Sequence, residues 1–75
     1  MTPNPWGVPP SEARAMDALV EHGTLKMAAR ALGLAPRTIA AYTERAAECM
    51  CLQGEGVKSA VAWDRWRRGE GAAHG

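Results

Sequence analysis

The chain carries almost no net charge: nine Lys and Arg against eight Asp and Glu leave a formal +1 over 75 residues. A surface that is basic or acidic as a whole is therefore excluded. Cysteine is scarce too, with only Cys49 and Cys51. Standing two apart in what reads as a helix, they point to different sides and do not bridge. A CxC pair also lacks the further ligands a zinc site needs, and His22 and His74 add no recognisable metal spacing. Reduced thiols, no metal and no cofactor are the expectation. The sequence contains no signal-peptide core and no apolar stretch approaching about 18 residues, which points to a soluble, cytoplasmic chain without a membrane partner. Strand-like alternation is absent as well. A chain this short makes one domain with one modest core, which argues against a deep catalytic cleft. Its histidines, cysteines and scattered carboxylates form no nucleophile–base or paired-acid arrangement, so an enzyme is not expected.

The small net charge conceals a gradient. Residues 1–23 carry Arg14 against Glu12, Asp17 and Glu21, a net of −2. Residues 24–47 carry Lys26, Arg30, Arg37 and Arg45 against Glu44 alone, a net of +3, and the remainder balances. The positive field is concentrated in the middle of the chain.

Proline supplies the first landmark. "MTPNPWGVPP" holds four of the five prolines, and because proline removes amide donors and fixes the backbone, residues 1–10 read as an extended arm, with Trp6 packing over the core edge to pin it. Ser11 is the expected N-cap of a first helix through "EARAMDALVEH", with Glu12 in its first turn, Met16, Leu19 and Val20 on one face and Gly23 as its stop. "TLKMAARALG" predicts a short second helix capped by Thr24 and ended by Gly33, with Leu25, Ala28, Ala29 and Leu32 at core spacing. Lys26 and Arg30 fall on its outer side. Leu34 is expected in the core, Ala35 at the next cap and Pro36 at a helix opening, where its missing amide costs nothing. The third helix, about residues 36–50, turns Ile39, Thr43, Ala46 and Met50 inward, with Tyr42 beside them against the fourth helix. Its outer face holds Arg37, Ala40, Ala41, Glu44 and Glu48, with Arg45 at the flank. "VKSAVAWDRWRRG" predicts the fourth helix, with Val57, Ala60 and Val61 apolar and Trp63 and Trp66 three apart; residues 69–75 form a Gly-rich tail. The fold expected is all-α: a four-helix domain over residues 11–68 containing a helix-turn-helix, preceded by the Pro-rich arm.

Two short helices joined by a Gly-containing turn, the second opened by Pro-Arg-Thr, have the outline of a helix-turn-helix. A helix entering a major groove about 12 Å wide needs small residues at its deepest points and hydrogen-bonding groups at its margins. Ala40 and Ala41 meet the first need; Arg37, Thr38, Glu44 and Arg45 meet the second. Lys26 and Arg30 stand where they can reach flanking phosphates.

"GTLKMAARALGLAPRTIAAYTERA" resembles the helix-turn-helix of bacterial regulators, sharing an AAxxLGL…RT(I/V) pattern with LysR-type, LuxR-type and sigma-region-four domains. Residues 23–34 are similar in spacing to LysR-type domains. The continuation through "GEGVKSAVAW", with Lys58, Ala60 and Val61, is more like the LuxR-type four-helix domain. Compact regulators of phages and mobile elements look similar to the whole arrangement. The resemblance implies a small sequence-specific transcriptional regulator that binds double-stranded DNA. Where LuxR-type domains often carry basic base-reading side chains, this chain has Ala40, Ala41 and Glu44; Arg14 and Asp17 stand nearest to their first-helix Arg-Glu pair.

In the fourth helix, "WDRWRR" gathers Trp63 and Trp66 among Arg65, Arg67 and Arg68. At least one Trp is expected to dock on the first or third helix. Trp63, Trp66 and Arg67 are also the candidate surface for a homodimer, since related modules pair through the last helix and read two half-sites. The alternative is a protein-interaction adaptor of the same fold that uses the fourth helix and the arm to bind a protein such as RNA polymerase or a phage component.

Overall fold

The computed structural model describes residues 4–69; the first three residues and the tail from residue 70, with His74, lie outside the described residues. Four helices follow one another: α1 (Pro10–His22), α2 (Leu25–Leu32), α3 (Pro36–Cys49) and α4 (Gly56–Arg67). They pack as a small all-α domain with α1 touching each of the other three. Among the described residues no helix is long and apolar enough to cross a membrane.

The core has two compartments that share α1 and α3 as walls. In one, Ala15 and Ala18 of α1 meet Ala28 and Ala29 of α2 and Ile39 of α3, with Leu19, Leu32 and Tyr42 at the margin. Four alanines here allow three backbones to approach closely. In the other, Met16, Ala46, Met50 and Trp63 close over Val8, and Trp6, Val20 and Trp66 complete the edge. α1 serves both compartments because its apolar residues fall in two rows, 15, 18, 19 and 13, 16, 20, which a helical period of 3.6 turns to adjacent faces. Tyr42, expected from sequence against the fourth helix, therefore packs beside α1 and α2 instead.

Several ends follow the local code and some do not. Thr24 caps α2, its Oγ1 accepting from the Met27 amide at 3.2 Å. Gly23 and Gly33 stop α1 and α2 in the left-handed region. Ser11, expected as the cap of α1, is already inside the helix: Pro10 is its first residue and Pro9 its cap, with the Pro9 carbonyl accepting from the Ala13 amide at 2.8 Å. A proline opens a helix as readily as a cap residue precedes one, because the amide it lacks has no intrahelical partner there. Leu25 and Leu34, expected in the core, are 37% and 41% exposed. Leu34 occupies the position after the Gly33 cap, where its amide bonds the Ala29 carbonyl at 2.9 Å and its side chain is left outside.

The end of α3 repeats this double-bonded cap without a glycine. The Cys51 amide bonds the Glu48 carbonyl and the Leu52 amide the Ala47 carbonyl, while Cys51 itself sits at φ 61. Cys51 thus lies beyond α3 rather than inside a helix with Cys49, and both thiols are exposed and free. A side chain in this region costs about 1–2 kcal/mol, partly offset in glycine by its freer unfolded chain. Cys51→Gly is expected to stabilise the domain by about 0.5–1 kcal/mol net, read as a rise of a few degrees in the thermal midpoint; an unchanged or lower midpoint would contradict the strain.

The segment before α1 folds onto the domain. Asn4 Oδ1 accepts from the amides of Trp6 (3.2 Å) and Val8 (2.8 Å), and its Nδ2 donates to the Val8 carbonyl at 3.0 Å. This clasp buries Val8, stacks Trp6 on the indole of Trp63 and sets it edge-on to Trp66, at centroid distances of 5.7 and 6.0 Å. Residues 4–9 are thus a pinned turn, not an extended arm.

Candidate nucleic-acid interface

α2 and α3 are joined by three residues, 33–35, and Pro36 opens α3. Buried Ala28, Ala29 and Ile39 hold the two helices together from inside, so their polar faces are outward by necessity. On α3, at about 100° per residue, Ile39 and Ala46 point inward and Arg37, Ala41 and Glu48 form the middle of the exposed side. Arg45 and Thr38 lie on one flank, Ala40, Glu44 and Ala47 on the other.

Lys26, Arg30, Arg37, Ala41, Glu44 and Arg45 are exposed, and Thr38 and Ala40 are half-buried. The ion pairs among the described residues are Lys58 with Glu55, Arg67 with Asp17 and Arg68 with Asp64. Within the described residues none of the four cations of α2 and α3 pairs with a carboxylate. On α3, Arg37 and Arg45 stand one turn before and after Ala41, which presents only a methyl group, and Glu48 shares that exposed side. Glu44 lies on the flank facing α4.

The aromatic candidates have a different fate. Trp63 is 1% exposed, and its Nε1 donates to Asp17 Oδ1 at 2.8 Å. Arg67 binds the same residue, its Nε 3.2 Å from Asp17 Oδ1 and a terminal nitrogen donating to the Asp17 carbonyl. Trp66 is half-buried against Trp63, with centroids 5.0 Å apart. Trp63 and Arg67 thus fasten α4 to α1; Trp63 is withdrawn from the surface, while parts of Trp66 and Arg67 remain on it. Val57, Ala60 and Val61, read from sequence as the apolar side of this helix, do not form its buried face. That face is Ser59, Ala62, Trp63 and Trp66, with the Ser59 hydroxyl donating to the Gly56 carbonyl at 2.8 Å. The indole and its partner Asp17 decide the rotation of α4, and the two valines turn outward.

That rotation opens a groove that sequence reasoning missed. About 860 Å³ in volume, it runs between the end of α1, the middle of α3 and the first turns of α4. Val57 and Val61, four residues apart, were the available signal; their direction was not. Among the described residues no group of His, Cys, Asp or Glu gathers to hold a metal ion.

No family model, curated protein or solved structure matches the chain.

Proposed function

We propose that this protein is a small sequence-specific DNA-binding regulator of transcription, with α2 and α3 as a helix-turn-helix and α3 as the helix that enters the major groove. The observation that carries the reading is the set of four exposed cations on α2 and α3, Lys26, Arg30, Arg37 and Arg45, that form no ion pair within the described residues. In this reading Ala41 permits close approach and meets thymine methyl groups, with Ala40 beside it. Arg37, Thr38 and Arg45 bond bases or phosphates at the margins, and Lys26 and Arg30 bind the phosphates alongside. Glu44 takes the groove edge, where it can accept from a cytosine amino group. Two copies reading half-sites about one helical turn apart would supply the affinity a single module lacks.

The test is retention of DNA fragments in a gel at two salt concentrations, with the molecular mass measured alongside. Salt-sensitive retention of particular fragments is expected. Arg37→Ala should weaken it about tenfold and lower the salt slope by roughly one, with the thermal midpoint unchanged because Arg37 is exposed and forms no ion pair within the described residues. Absence of retention at low salt, or an Arg37→Ala variant that binds as the parent does, would remove the reading.

The adaptor reading is favoured by one observation, the groove beside α4. Trp6 of the N-terminal turn and Trp63 of α4 stack on each other, so the groove is a part of the α4 side left open to a partner.

A further inference from the structure

We infer that the groove between α3 and α4 docks an amphipathic helix of a partner protein whose apolar stripe is flanked by lysine or arginine. Its apolar surface comes from Leu19, Val20, Leu25, Val57, Ala60 and Val61. Val57 is 81% exposed and Val61 47%, although neither caps a helix nor shields the core. Isolated exposed valines are ordinary; two of them four residues apart along one wall of a concave surface are an unpartnered face. The volume suits the few large side chains that one face of a short helix inserts.

Charge selects among occupants. The groove's ionisable lining is Glu44 and Glu48 from α3 and Asp64 from α4, with no Lys, Arg or His among the lining residues. Asp64 already shares its charge with Arg68, whereas Glu44 and Glu48 form no ion pair within the described residues. A second copy meeting groove to groove would set the same carboxylates against each other, which is unfavourable at close range. A basic amphipathic helix instead covers the valines and pairs with the rim. Nothing in this argument depends on DNA binding.

The probe is a fluorescein-labelled Leu/Lys amphipathic helical peptide, titrated by anisotropy against the full chain, with the matching Leu/Glu peptide as comparison. The Leu/Lys peptide is expected to bind and the Leu/Glu peptide not to. Val57→Asn with Val61→Asn, and separately Glu44→Gln with Glu48→Gln, should each weaken binding at least about tenfold. All four residues are exposed, so the thermal midpoint of each variant should match the parent's and report that the fold is intact. Failure of the Leu/Lys peptide to bind, equal binding of both peptides, or binding indifferent to the valine variant would overturn the inference. So would a stable dimer that the valine variant dissociates, because a second copy would then hold the groove. DNA retention, measured separately, stands or falls without these outcomes.

Discussion

Ala41→Glu is expected to abolish DNA retention while leaving the domain folded. Three effects act together. In the proposed reading the larger side chain keeps α3 from the groove floor and the new carboxylate faces phosphates; it also stands four residues from both Arg37 and Arg45, the spacing at which helix side chains pair. Both cations would be drawn back along the helix and away from a ligand. A carboxylate forced against DNA without a donor costs about 3 kcal/mol, roughly a hundredfold in affinity. Stability should move by no more than about 0.5 kcal/mol, because Ala41 is exposed and glutamate is a good helix former. Gel retention and a thermal melt on the same preparation check both halves. Retained DNA binding would eliminate α3 as the recognition helix, and a collapsed fold would contradict the outward placement of Ala41.

The second large effect lies in the core. Trp63→Ala removes the biggest buried side chain, the stacking partner of Trp6, the tilted neighbour of Trp66 and the donor to Asp17. Truncating a buried aromatic costs about 3–5 kcal/mol. A domain of this length holds about 4–11 kcal/mol in total, so this one residue carries from about a quarter of the stability to all of it. The thermal midpoint should fall by at least about 15 °C, with loss of the cooperative helical transition at the lower end of that stability range. Trp63→Phe retains the ring and loses the indole donor, and should fall by about 1–3 kcal/mol instead. If Trp63→Ala melted within a few degrees of the parent, the aromatic cluster would not be what holds α4 and the N-terminal turn to α1.

The consequence for function is indirect. α3 is held on both sides, by Ile39 in the alanine compartment and by Ala46 and Met50 in the tryptophan compartment. Loosening the second compartment would free the later half of α3, including Arg45, while α2 and the first turns of α3 kept their own packing. A Trp63 variant should therefore lose DNA affinity through disorder, with a lower midpoint, whereas Ala41→Glu loses it at an unchanged midpoint. The pair separates a contact from a support.

Much of this architecture is local and was legible in the residues. Thr24, Gly23, Gly33 and Pro36 each act on the backbone within a turn of themselves, so helix ends could be placed from composition alone. The inward faces of α2 and α3 were legible for the same reason: Ala28, Ala29, Ile39, Ala46 and Met50 keep a helical period. Where two residue types can do one job, local reading failed. Pro9 and Pro10 start α1 ahead of the better-known cap Ser11, and Cys51 takes a conformation that sequence assigns to glycine.

What the sequence by itself determined is the number of helices, their approximate limits and the exposure of the cations on α2 and α3, because periodicity and end signals are properties of neighbouring residues. What only the tertiary structure decided is which side of α4 faces inward. The valine row 57 and 61 and the row 59, 63 and 66 have comparable helical spacing, and the choice rests on Asp17, 46 residues from Trp63. That long-range bond and the stacking of Trp6 rotate α4, bury the indole and open the groove; no pattern within α4 encodes a partner so far along the chain.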